Sequence, residues 1–123
     1  MQDDAIDWNR AFPKLEVKNI SKSYPLKGGR NSIVLDDINL KIAPREFTCL
    51  VGTSGCGKST LLNIIAGLLH PSAGEVLVDG RSVTGQPGSD RGMIFQGYTL
   101  YPWLTVAKNV AFGLQFQQLT KAE

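Results

Sequence analysis

Gly52-Thr53-Ser54-Gly55-Cys56-Gly57-Lys58-Ser59 lies between an apolar run, Phe47 to Val51, and a segment in which Leu61, Leu62, Ile64, Ile65 and Leu68 recur at helical spacing. The octapeptide satisfies G-x-x-x-x-G-K-[ST] in full, and the strand-then-helix context is the one its chemistry requires. Glycines at 52, 55 and 57 admit backbone conformations closed to other residues, so consecutive N–H groups can converge on one anion. The helix N-terminus behind them adds partial positive charge. Lys58 is placed to bring its ammonium to the β and γ phosphates of a nucleotide, and Ser59 offers a hydroxyl to Mg²⁺, which prefers oxygen ligands. Thr60 adds a further phosphate contact. The candidate site is therefore Gly52, Thr53, Ser54, Gly55, Cys56, Gly57, Lys58, Ser59 and Thr60, with ATP and Mg²⁺ as its ligands. A glycine turn chosen only for tight packing is set aside by the full motif and its context. Cys56 reads as a small side chain at a wildcard position, and Cys49, inside the apolar run, as a core residue.

Upstream of the loop, Leu15 and Val17 alternate with Glu16 and Lys18, predicting a half-exposed strand that reaches about Tyr24 before Pro25. Lys27 to Asn31 makes a loop, and Val34 to Ile42 alternates again through Ile38, Leu40 and Ile42. Together these segments predict an antiparallel meander. Ala43 to Glu46 supplies a turn, and the continuous run Phe47 to Val51 suits a strand buried on both faces. Downstream, Gly67 and Pro71 mark the end of the helix that follows the glycines. Glu75 to Val78, an Asp79-Gly80 turn and Arg81 to Val83 predict a hairpin. Met93 to Phe95 reads as another strand, and Val106, Val110 and Leu114 place a second helix over 105 to 116. Residues 1 to 13 show no clean period and form an amino-terminal tail.

The bulk numbers exclude several classes. A chain of 123 residues that is 42% hydrophobic fits one modest globular domain. A net charge of +2, from 13 Lys plus Arg against 11 Asp plus Glu, gives no stripe for nucleic acid. Leu61 to Leu69, broken by Asn63, is too short for a bilayer span, and the acidic start Met1-Gln2-Asp3-Asp4 is no export signal. Cys49 and Cys56 lack metal spacing and read as unbridged thiols.

Around the phosphate loop, Gly55-Cys56-Gly57-Lys58-Ser59-Thr60-Leu61-Leu62 resembles the form of the motif found in ABC transporter ATPase subunits. Ser21-Lys22-Ser23-Tyr24 resembles that family's adenine-stacking segment, which makes Tyr24 the candidate to lie against the base. An aromatic face against a base contributes about 1–3 kcal/mol in single-strand nucleic-acid binders. Arg91-Gly92-Met93-Ile94-Phe95-Gln96 is similar to the entry of the family's Q-loop. There the resemblance gives Gln96 a contact to Mg²⁺ and the attacking water, and a link to the membrane subunit. Leu100-Tyr101-Pro102-Trp103 is similar to the subfamily that imports nitrate, sulfonates, taurine and related oxyanions. Tyr98, Tyr101 and Trp103 form either an exposed patch that receives a coupling helix or ordinary packing beneath the loop. Gly97, where a polar residue is more typical, and Lys108, where Glu is common, depart from the family pattern.

The resemblance covers residues 14 to 119 and implies an α/β fold, a P-loop NTPase of ABC type. It would hold an antiparallel β subdomain and the start of the parallel core sheet, as the amino-terminal half of a nucleotide-binding domain spanning 14 to 123. The signature motif, the Walker B carboxylates and the switch histidine are not in the sequence, and His70 cannot fill the switch position. The domain is therefore expected to be incomplete, and the chain alone nearly inactive as an ATPase. The resemblance further implies two subunits packed head to tail, a transmembrane permease as partner, and a peripheral place on the cytoplasmic face of the plasma membrane. Two other readings stay open: a stand-alone nucleotide-binding or interaction module without hydrolysis, and a soluble ABC ATPase.

Overall fold

Alternating apolar residues at both ends of the first 30 resolved positions set up the sheet on which the glycine loop rests. The computed structural model describes residues 12–97 and 99–116, which fall into two compact units divided after Gly92. In the first unit, β1 (Leu15–Pro25) pairs antiparallel with β2 (Asn31–Ile42), with Leu15 opposite Ile42, Val17 opposite Leu40 and Tyr24 opposite Ser32. Gly28 and Gly29, both at positive φ, turn the chain between them, and the Leu26 N–H closes the loop on the Arg30 carbonyl at 2.7 Å. On the other side of β1 runs β3 (Ala73–Val78), also antiparallel, and β4 (Arg81–Ser82) completes the order β2-β1-β3-β4. The β3–β4 hairpin is the one expected, because Asp79 and Gly80 both take positive φ, as a two-residue type I′ turn demands.

The β1–β2 ladder is interrupted at Asn19 and Asp37, which adopt φ of 49° and 47°. Asn and Asp tolerate this left-handed region, and here their side chains replace the bonds that the bulge breaks. Asn19 Nδ2 donates to Asp37 Oδ1 at 2.7 Å, the Asn19 N–H to Asn39 Oδ1 at 2.9 Å, and the Asp37 N–H to Ser21 Oγ at 3.0 Å.

One helix, α1 (Lys58–Ile65), covers a face of this sheet. Its buried Leu61 and Ile64 join Val17, Ile20, Leu35, Val76, Val78 and Val83 in the core. Each such side chain contributes about 1.5–3 kcal/mol by leaving water. A Schellman motif ends the helix: Gly67 stands at φ +76°, its N–H donates to the Ile64 carbonyl (3.0 Å), and the Leu68 N–H reaches Asn63 (2.9 Å).

Two expected strands are absent. Phe47 to Val51 carries no strand, with Phe47 90% and Val51 93% exposed, and Cys49 is exposed where a core residue was expected. Met93 to Phe95 likewise carries none, and Ile94 is 99% exposed. A strand exists only by pairing, and among the described residues every ladder is antiparallel and none includes either segment. In the second unit the helix expected over 105 to 116 is divided into α2 (Val106–Ala111) and a 3₁₀ turn over Phe112–Phe116. Thr105 caps α2 by accepting from the Lys108 N–H at 3.3 Å. Gly113, a poor helix former, falls where the α-helix gives way.

Candidate functional site: the glycine loop and the start of α1

The loop is held from behind by the sheet and closed from the front by its own lysine. Gly57 is the N-cap of α1 at φ 99°, ψ 3°, and it offers no side chain to the first helical N–H groups. The first turn of α1 holds no acidic residue. Those N–H groups have no intrahelical acceptor, so an anion brought to the loop would meet unsatisfied donors together with the positive end of the helix dipole. Gly55 is also at positive φ (78°), as the converging of consecutive N–H groups requires. Gly52 is needed for a different reason: a Cβ there would lie 2.7 Å from Cys56 Sγ and 3.8 Å from Lys58 Nζ. Any side chain at 52 displaces the Cys56 thiol at the rim.

Lys58 is half-buried, and its ammonium folds back over the loop. Nζ donates to the carbonyl oxygens of Gly52 at 2.7 Å and Thr53 at 2.8 Å, and reaches Cys56 Sγ at 3.3 Å. Its three N–H groups are thus fixed at the mouth of the loop, where phosphate oxygens can replace weaker neutral acceptors. The Cys56 contact was not legible in the sequence, where the residue read as a filler. The hydrogen bond from Lys58 holds the Cys56 thiol below its ordinary value, against a smaller opposing effect of burial. Ser59 is exposed on the first turn of α1, and Thr60 is half-buried beside it. Among the described residues no group of three or more His, Cys, Asp or Glu could hold a metal. The exposed Ser59 hydroxyl is an oxygen donor of the kind that Mg²⁺ accepts.

Residues 52 to 60 form the loop and the first turn of α1, in which Lys58 ties Gly52, Thr53 and Cys56 together. Tyr24 stands one residue before the end of β1, with 40% of its surface exposed and the Lys22 ammonium 5.1 Å from its ring centroid, a cation–π arrangement. Gln96 belongs to the second unit, where it is exposed in a bend. Tyr98 lies outside the described residues. Tyr101 and Trp103 are exposed, their ring centroids 5.3 Å apart.

A family model described as ABC transporter matches residues 35–123, a span that includes the whole loop. The chain belongs to the ABC transporter family. Among ABC transporter relatives, an uncharacterized ATP-binding protein of Methanocaldococcus jannaschii is 51% identical over 94% of this chain and 42% of its own length. The nitrate import ATP-binding protein NrtD of Synechocystis sp. is 51% identical over 89% of this chain and 40% of its own. A bicarbonate transport ATP-binding protein, CmpC of Synechococcus elongatus, is 52% identical over 80% of this chain and 15% of its own length. Among solved structures, a dimeric post-hydrolysis ATP-binding cassette bound to ADP and Pi superposes with a TM-score of 0.73 at 34% identity. That match covers 88% of this chain and 51% of the cassette. The fold class read from the glycine loop is therefore that of ABC ATPase cassettes, although the chain spans only about half of the cassette.

Proposed function

We propose that this ABC transporter chain binds ATP through residues 52 to 60 and, in a protein of its relatives' full length, energises import of an oxyanion of the nitrate or bicarbonate kind. The observation that carries the reading is the uncapped start of α1 behind Gly57, with the Lys58 ammonium held 2.7–2.8 Å from the Gly52 and Thr53 carbonyls. In this reading Lys58 passes from those carbonyls to the β and γ phosphates, and the loop N–H groups take the remaining oxygens. Tyr24 stacks on the adenine. The Ser59 hydroxyl would help to hold Mg²⁺, which would supply charge neutralisation to phosphoryl transfer when bound. Electrostatic positioning of this kind is the greater part of what such a site does. Walker B carboxylates and the signature motif are not among the 123 residues, so binding is proposed for this chain and hydrolysis for a protein of its relatives' full length.

The partners follow from the relatives. NrtD and CmpC are named for the import of nitrate and transport of bicarbonate, and the solved cassette is dimeric, which supports a permease partner and a second ATPase subunit packed head to tail. Tyr101 and Trp103 are the proposed permease contact. No described helix is long and apolar enough to cross a membrane. The proposed location is the cytoplasmic face of the membrane, by attachment to such a subunit. On a protein of its relatives' full length, the test is co-purification from detergent-solubilised membranes, followed by uptake of labelled nitrate, bicarbonate and taurine into vesicles holding the recovered complex. ATP-dependent accumulation of at least one of these ions is expected. Recovery without an integral membrane subunit, or uptake indifferent to ATP, contradicts the reading.

A further inference from the structure

Lys22 stands at a junction of the first unit. Its ammonium donates to the His70 carbonyl at 2.8 Å and lies over the Tyr24 ring, 5.1 Å from the centroid. The backbone on either side of Lys22 is tied to the same segment: the Ser72 N–H donates to the Ser21 carbonyl at 2.8 Å, and the Ser23 N–H donates to Ser72 Oγ at 3.1 Å. Residues 70 to 72 follow the Schellman turn that ends α1, so the chain leaving the phosphate-loop helix holds the end of the strand that carries Tyr24.

Across the ladder, Lys22 leads to the loop itself. It pairs with Leu35 of β2, whose Cδ2 would lie 2.9 Å from a Cβ at Gly57. Tyr24 is thus two residues along β1 from the position braced against the N-cap of α1. An exposed ring ordinarily flips between rotamers, and giving up that freedom on contact with a ligand costs affinity. Here a lysine that is itself anchored to a carbonyl removes part of that freedom beforehand, and it occupies one face of the ring.

We infer that Lys22 is a positioning residue for the base subsite: its ammonium holds one face of Tyr24 and leaves the opposite face to the purine of a nucleotide. The purine in this statement rests on the nucleotide reading above, whereas the contact between Lys22 and Tyr24 is a property of the chain itself.

Nuclear magnetic resonance and calorimetry on the 123-residue chain test the two parts separately. In the unliganded chain the Lys22 ε-methylene protons are expected upfield of their position in Tyr24→Leu, with nuclear Overhauser contacts to the Tyr24 ring. Calorimetry then compares the Mg²⁺ complexes of ATP and of tripolyphosphate, which carries phosphates without a base. Lys22→Met keeps the apolar stem and removes the ammonium, so it should weaken ATP by about two- to tenfold, the equivalent of ordering one side chain, and leave tripolyphosphate unchanged. In Tyr24→Leu the added change Lys22→Met should weaken ATP no further. Lys22→Arg, which also donates to carbonyls and lies on aromatic faces, should keep ATP affinity within about twofold of the unaltered chain. Absence of the upfield shift, no loss of ATP affinity in Lys22→Met, equal losses for ATP and tripolyphosphate, or the same loss with Tyr24 and without it each overturns the proposal and leaves the loop reading intact. ATP affinity unchanged in Tyr24→Leu removes the stacking partner and this proposal with it, again without touching the loop. An unaltered chain that binds neither ATP nor tripolyphosphate overturns both readings.

Discussion

Lys58→Ala is expected to weaken binding of Mg·ATP by about 2–4 kcal/mol, roughly thirty- to several-hundredfold, because hydrogen bonds to charged groups contribute about 1.5–3 kcal/mol each. The ammonium is a full positive charge that the structure fixes at the mouth of the loop, through Gly52, Thr53 and Cys56. Loop N–H groups and the helix dipole remain in the variant, so some affinity persists. Lys58→Arg should not rescue it: a planar fork cannot take the place of a compact ammonium aimed at 2.7–2.8 Å over two carbonyls. Calorimetric titration checks both variants, and an affinity indifferent to either change would remove Lys58 from the site. The Cys56 thiol should respond as well, becoming less acidic, since the hydrogen bond that holds its pKa below the ordinary value leaves with the ammonium.

Gly57→Ala is expected to damage fold and site together. The residue stands at φ 99°, and a Cβ there would lie 2.9 Å from the Val34 carbonyl oxygen, 2.9 Å from Leu35 Cδ2 and 3.3 Å from Val34 Cγ1. Left-handed backbone at a residue other than glycine costs about 1–3 kcal/mol, and overpacking a core adds about 1–3 kcal/mol, so the sum is about 2–6 kcal/mol. Leu35 belongs to the core and Gly57 is buried, so the strain has no free surface into which to relax. Urea denaturation should show the midpoint falling by that equivalent, with nucleotide affinity lost in parallel. Gly55→Ala is the instructive comparison. Gly55 is at φ 78° with nothing within 4 Å of a Cβ, so only the backbone term applies and the loss of stability should be smaller. Equal stability of Gly57→Ala and the unaltered chain would show that the loop is not braced against β2.

Much of this was legible in the residues because the determinants are local. Leu15 and Val17, or Ile38, Leu40 and Ile42, announce strands by alternation, and Asp79-Gly80 announces its turn by conformational preference. The spacing of Gly52, Gly57, Lys58 and Ser59 announces a phosphate loop because the chemistry tolerates few alternatives. Phe47 to Val51 failed for the opposite reason. A continuous apolar run states what would bury well, not whether a partner strand is present, and no described ladder includes it. The bulge at Asn19 and Asp37 was equally hidden, since bonds among Asn19, Asp37, Asn39 and Ser21 across two strands fix it. Lys58 was singled out by spacing, whereas its bond to Cys56 depends on how the loop folds back. Asn109, whose amide bonds the main chain of Tyr101, Leu104 and Thr105, gave no signal, because those partners lie in a turn without periodicity.

Recognition of a phosphate tail by the loop is the claim on which the functional reading depends, and comparing ATP, ADP and AMP by calorimetry on the intact chain with Mg²⁺ tests it most directly. All three share the base and ribose, so stacking on Tyr24 contributes equally to each. ATP and ADP are expected to bind saturably, with AMP weaker than ATP by about tenfold or more through loss of the charged contacts. Equal affinity for AMP and ATP would contradict the account, because binding would then owe nothing to the loop that Gly57 and Lys58 build.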